Sequence, residues 1–243
     1  MSIITVASSK GGPGKTTLSQ IIAGTLAARG VSVAVLDADP TAGLSRWASR
    51  LYEGAAFVCH HEPDEAKLAH LIHRMAQEAE VVVVDTAGFG NRAATVAMTA
   101  ADGVLIPMVS GEGDVTEAAR TVELVAGVAS AARREIPARV VLNRVRSSTA
   151  LSKHAAAEAA TLPKLAASLS DLVAYGEMGF SGRMPAGKAG AEAAALVDEL
   201  RELGWLPGNP SATGKKKTPS AKLHGVKAQD VKTKAVKTQE PHR

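Results

Sequence analysis

Cysteine occurs once in the 243 residues, at Cys59. A single thiol excludes an intrachain disulfide and any metal cluster held by several cysteines of one chain. Aromatic residues make up only 3%, too few for a surface that works by stacking single-stranded bases. No run reaches the roughly 18 apolar residues that a membrane-spanning helix needs. The opening MSIITVASSK carries no basic leader ahead of an apolar core, so no signal peptide is expected and a cytoplasmic location is. Apolar residues at 46% and charged residues at 21% are ordinary for a chain with a real hydrophobic core.

The net charge of +4 is unevenly spread. Of the 28 basic and 24 acidic residues, nine and two lie in Pro207–Arg243, a net of +7 for that stretch and −3 for the rest. Pro207, Gly208 and Pro210 break any helix. Leu223, Val226, Val231 and Val236 beyond them form no helical stripe. The composition predicts a folded domain over residues 1–206 and a disordered, lysine-rich tail over 207–243.

The body alternates strand and helix signals. Ile3–Ala7, Val31–Leu36, Val81–Val84, Val104–Ile106 and Val140–Leu142 are apolar, mostly β-branched runs. Such runs without polar alternation imply strands covered on both faces. Helical stretches are expected at about Thr16–Arg29, Thr116–Arg133 and Thr149–Ala160, with Gly30 stopping the first. This order predicts an α/β domain with a doubly wound, mostly parallel sheet.

Between the first strand and first helix stands Ser9-Lys-Gly-Gly-Pro-Gly-Lys-Thr-Thr17. Gly14-Lys15-Thr16 fits the second half of a phosphate loop, although Ser9 stands where that loop begins with glycine. Lys10, Gly11, Gly12, Pro13, Gly14, Lys15, Thr16 and Thr17 are therefore candidate nucleotide-binding residues. Glycines let backbone N–H groups wrap phosphates, Lys15 would reach the β- and γ-phosphates, and the Thr16 hydroxyl would ligate Mg²⁺. Lys10 is either a solvated loop lysine or one presented to a second subunit's nucleotide; spacing leaves both open. Acids follow two strands: Asp37 and Asp39 after Val35-Leu36, and Asp85 after the four valines. In a parallel sheet these strand ends share one edge, so Asp39 and Asp85 should converge on the loop. An acid in the place of Asp85 is the Walker B arrangement, which supports Mg²⁺.

SKGGPGKTT, DADP and VVVVDTAG, in that order, resemble the deviant Walker A ATPases of the ParA/MinD group, and the likeness covers about Met1–Trp205. The resemblance implies a P-loop NTPase fold and Mg²⁺-dependent ATP hydrolysis at an ATP-sandwich homodimer. Lys10 would then cross to the partner's phosphates, Asp39 would orient or activate water, Asp85 would support Mg²⁺ and Asn143 would contact adenine; Asp37 matches the motif with a less defined role. It further implies nonspecific DNA as a partner of the ATP dimer, a nucleoid association, a centromere-binding or cargo adaptor protein, and a role in segregating plasmid or chromosomal DNA. An alternative is an ATP-dependent positioning or filament-forming protein for a protein cluster or conjugation complex. Arg144, Arg146, Lys153, Arg183 and Lys188 would supply a basic patch on the body.

Several branches of the group fit poorly. Iron–sulfur relatives need more cysteines, and Cys59, near a strand expected at Ala56–His60, reads as a small core residue. Tyr52 and Tyr175 form no terminal tyrosine cluster. The tail has almost no apolar face, so a membrane partner is not expected. His60, His61, His70 and His73 read as solvated side chains rather than a metal site.

Overall fold

The computed structural model describes residues 1–88, 91–146 and 157–208. Seven strands form one sheet in the order β3-β2-β4-β1-β5-β6-β7, and every neighbouring pair is parallel. They are β1 (Ser2–Val6), β2 (Val33–Asp37), β3 (Val58–His61), β4 (Val81–Asp85), β5 (Gly103–Met108), β6 (Ala138–Val145) and β7 (Lys164–Ser170). Among the described residues the helices are α1 (Lys15–Ala28), α2 (Gly43–Arg50), α3 (Glu65–Glu78), α4 (Arg92–Ala100), α5 (Glu112–Ala132), α6 (Val173–Ser181) and α7 (Gly187–Glu202).

The valine run of β4 shows why the sheet is covered on both sides. Val81 and Val83 pack with Leu18, Ile22 and Leu26 of α1 and Leu196 of α7. Val82 and Val84 turn to the other face, against Leu68 and Ile72 of α3 and Ala97 of α4. All four are fully buried, each side chain stabilising the fold by about 1.5–3 kcal/mol. β5 repeats the pattern, with Leu105 in the first layer and Val104 and Ile106 in a third cluster that includes Val125 of α5. The period of two along each strand, with apolar residues on both faces, produces the three-layer α/β/α architecture.

Two expectations need adjustment. The strand expected near Ala56–His60 is Val58–His61. The chain also has a seventh strand, β7, which no β-branched run announces because its sequence is KLAASLS. It is an edge strand that buries only Leu165 and Leu169 deeply. Its edge is covered rather than left open, since Glu199 of α7 accepts the N–H groups of Ala166 and Ala167 at 2.7 Å each. Most of the helix expected over Thr149–Ala160 lies outside the described residues, as does the expected tail from Asn209 onward. Among the described residues, no helix is long and apolar enough to cross a membrane.

Sheet order positions the site. β1 lies between β4 and β5, with β2 reached by a crossover through α1, so the chain reverses its winding at β1. The loop leaving β1 therefore opens at the carboxyl edge where α/β sheets bind ligands. Asp37 and Asp85 are paired neighbours in the register of β2 and β4.

Candidate functional site

The loop from Ser8 to Gly14 is shaped by two glycines with positive φ, Gly12 at +95° and Gly14 at +98°. Gly14 also has no room for a side chain, because a Cβ there would run into the amide of Asn143. It is the N-cap of α1, and no side chain caps that helix. The first-turn N–H groups of α1 are thus left for an anion. Ser9, in the place of the usual first glycine, does not adopt positive φ. Its hydroxyl donates to the Glu117 carboxylate at 2.7 Å, and its N–H donates to Thr121 Oγ1 at 3.1 Å. Serine at this position fastens the start of the loop to α5.

Lys15 points into the loop and is 8% exposed. Its ammonium donates to Ser8 Oγ and to the Lys10 carbonyl, both at 3.1 Å. Burial pushes its pKa down, while the charges of Asp85 and Asp39 oppose that fall. A buried lysine with two neutral oxygen partners beside the uncapped start of α1 can serve as a donor to an anion.

Asp85 is fully buried. Thr16 Oγ1 donates to one of its oxygens at 2.8 Å and Ser19 Oγ to the other at 3.0 Å. Burial raises its pKa to about 7 despite those donors, with the Asp37 charge adding to the rise. A carboxylate touching a loop threonine hydroxyl is an all-oxygen donor set suited to Mg²⁺. Ser19 escaped the sequence reading, although it lies three residues after Thr16 and so on the same face of α1.

Asp39 is half-buried, and one of its carboxylate oxygens accepts the Thr41 N–H at 2.8 Å. Asp37 lies beneath it and is fully buried. The Asp37 carboxylate accepts the N–H of Asp39 at 3.1 Å and that of Ser45 at 2.8 Å. Asp37 therefore shapes the turn that carries Asp39. His61 adds a contact through Nε2, 3.0 Å from the Asp39 carbonyl. Lys10 is held within its own chain: its ammonium donates to Asp114 at 2.8 Å, and this bond raises its pKa. Asp114 and Glu117 escaped the sequence reading because they are more than a hundred residues from their partners and carry no local signal.

Asn143 is buried at the far side of the loop. Its amide nitrogen donates to the Pro13 carbonyl at 2.7 Å, and its oxygen accepts the Arg144 N–H at 2.9 Å. Beside it a cleft of about 460 Å³ is bordered by Thr17, Arg144, the turn Ser170–Leu172 and α6. Of the expected basic patch, Arg146 pairs with Asp171, Arg183 with Glu53 and Lys188 with Glu192, all three basic side chains remaining exposed. Lys153 lies outside the described residues. No group of three or more histidine, cysteine or acidic side chains that could hold a metal ion stands together among the described residues. Cys59 is half-buried, and burial pushes its thiol up to about 11.

Comparison with known proteins places this geometry. The model of the CobQ/CobB/MinD/ParA nucleotide binding domain matches residues 4–183. A protein named ParA from Rhizobium radiobacter is 34% identical over 154 residues, covering 63% of this chain and 68% of the relative. Among solved structures, an ATP complex of a Cyanothece McdA variant superposes with a TM-score of 0.69 at 19% identity, over 86% of this chain and 98% of that one. MinD from Pyrococcus horikoshii with Mg-ADP gives 0.69 at 17% identity, over 84% and 97%. With its glycine loop, paired lysines and strand-end carboxylates inside the matched segment, the chain belongs to the CobQ/CobB/MinD/ParA nucleotide-binding domain family.

Proposed function

We propose that this protein is a Mg²⁺-dependent ATPase of the partition type, which dimerises around ATP, binds nonspecific DNA in that state and is stimulated by a cargo-bound adaptor protein. The observation that carries the reading is the 2.8 Å contact between Thr16 and the buried Asp85, beside Lys15 in a loop too tight for a Cβ at Gly14. Solved relatives with ATP and with Mg-ADP support the choice of ligand.

The residues fit that ligand. When bound, Mg-ATP supplies the phosphoryl group to be transferred to water and the divalent charge that offsets its own phosphates. Lys15 would exchange Ser8 and the Lys10 carbonyl for phosphate oxygens, while the backbone N–H groups of Gly11, Gly12 and Gly14 to Thr17 would line the same anion. Thr16 and Asp85 would hold the metal, and a cation beside Asp85 would favour its ionised form. Asp39, held in place by Asp37, orients the attacking water. Lys10 leaves Asp114 and reaches the partner's phosphates, where a second positive charge stabilises the charge that develops in the transition state. Asn143 braces the loop through Pro13 and keeps one amide N–H for the base, and the neighbouring cleft takes adenine and ribose.

Because ion pairs occupy much of the body's basic surface, the tail supplies most of the DNA charge, a reading that rests on composition. Nine basic residues making phosphate contacts at about half their number add about 4 units to the slope of log K against log salt. The test is fluorescence anisotropy of a generic duplex at three salt concentrations, with Mg-ATP or Mg-ADP, on the full chain and on one lacking Asn209–Arg243. Tighter binding with ATP and a shallower slope after truncation support the reading. Equal affinity with both nucleotides would overturn the ATP-gated DNA partner, and an unchanged slope would overturn the role of the tail.

A further inference from the structure

We propose that Glu192 of α7 is a positioning residue for the base end of the nucleotide cleft, holding the wall formed by the β7–α6 turn and α6. The inference rests on the nucleotide reading above and concerns how that site selects a base rather than a phosphate chain.

The wall is held to the core at the far part of α6, where Met178 is buried and its carbonyl accepts the Trp47 Nε1–H at 2.8 Å, but has few such ties at the turn. β7 is the edge strand, its register against β6 is irregular near Ser170, and α6 leaves Val173 78% and Phe180 85% exposed. Within the turn, the Asp171 N–H reaches the Val145 carbonyl at 3.0 Å and the Leu172 N–H reaches the Ser170 carbonyl at 2.9 Å. Arg146 Nε also donates to the Asp171 carboxylate at 2.6 Å, and three further donors converge on one carboxylate. Glu192 accepts the Ser170 N–H at 2.9 Å, the Ser170 hydroxyl at 2.6 Å and the Tyr175 hydroxyl at 2.9 Å. Ser170 is the last residue of β7 and Tyr175 lies in the first turn of α6, so one side chain fixes both ends of the turn bordering the cleft.

Glu192 can do this because α7 is rigid. Ala189, Ala193, Leu196, Val197 and Leu200 are buried in the core against the sheet and α1. Burial alone would raise the pKa of the Glu192 carboxyl, but the donors from Ser170 and Tyr175 outweigh it and hold it below the usual range. An ionised carboxylate is acceptor-only, which matches three converging donors; glutamine would turn an N–H₂ toward at least one of them. Lys188, 3.8 Å away on the same helix, is too exposed to replace those bonds.

The test compares Mg-ATP with inorganic tripolyphosphate, which has the phosphate chain and no base or ribose. Calorimetry on the full chain measures both affinities for the natural protein, Glu192→Gln, Tyr175→Phe and Lys15→Ala. Loss of bonds to a charged acceptor should lower ATP affinity about tenfold in Glu192→Gln and leave tripolyphosphate within about twofold. Tyr175→Phe, which removes one donor of three, should show the same split at about threefold, and it carries the test if Glu192→Gln does not fold. Equal losses for both ligands, or no loss for ATP, would overturn the positioning role. Lys15→Ala should lose both ligands; if it binds ATP normally, the nucleotide reading itself fails, whatever Glu192 does.

Discussion

Replacing Gly14 by alanine probes the point where backbone geometry and the far wall of the loop meet. At φ +98° an L-residue sits in left-handed space, which costs about 1–2 kcal/mol. The new methyl would also occupy the space of the Asn143 amide. Asn143 would have to swing away, losing its bonds to Pro13 and Arg144 at about 1 kcal/mol each. Gly14→Ala should therefore destabilise the protein by about 3–4 kcal/mol, and Asn143→Ala alone by about 2 kcal/mol. The two costs share a cause. In the double variant the methyl meets no amide and the Asn143 bonds are lost only once, so its stability should match that of Gly14→Ala. The coupling is then about 2 kcal/mol, measurable as a double-mutant cycle by urea unfolding. Strict additivity would show that Asn143 does not close against the loop and would refute this reasoning.

Other perturbations test single residues. Lys10→Ala should keep nucleotide affinity in the monomer by calorimetry while losing ATP-dependent dimerisation by size exclusion; a normal ATP dimer would remove Lys10 from the interface. For Asp85, a folded-state pKa of about 7 lies above the ordinary 3.8. Stability contributed by its protonated form is thus full below about pH 4 and lost as pH rises to 7. In chelator, the advantage of Asp85→Asn over the natural protein should grow by up to about 3 kcal/mol between pH 5 and 7 and level off above, whereas a pH-independent difference would contradict the burial argument. Cys59, pushed up to about 11, should react slowly with a disulfide reagent at neutral pH and rapidly in urea. Equal rates in both would mean that the thiol is not sheltered.

What was readable in the sequence was local. The loop from Ser9 to Thr17, the acids after β2 and β4 and the alternating burial of Val81–Val84 all lie within a few residues of the motif that announces them. The parallel sheet followed from those valines, since a strand apolar on every position must be covered twice. What stayed hidden is long-range. Ser9 looked like a defect in the phosphate loop until Glu117 and Thr121 of α5 stood beside it. The cis partner of Lys10, Asp114, has no local signature either. Asn143 was read as a base contact, and most of its amide is spent on Pro13 and Arg144. β7 was missed because alanine and serine, acceptable on an edge, carry no strand pattern. The pairing of surface charge was hidden as well: the lysines and arginines of the body are visible in sequence, but the acids that pair with Arg146 and Arg183 are distant along the chain.

The ATP-dependent dimer stands at the centre of the proposed mechanism, since Lys10 acts only across it. Sedimentation velocity of Asp39→Ala, with Mg-ATP and with Mg-ADP, tests it most directly. The variant keeps Lys15, Thr16 and Asp85 and loses only the residue proposed to orient water. It should accumulate as a stable dimer with ATP, with little phosphate release, and sediment as a monomer with ADP. The same sedimentation coefficient with both nucleotides would contradict an ATP-gated dimer, and natural rates of phosphate release from Asp39→Ala would remove Asp39 from the chemistry.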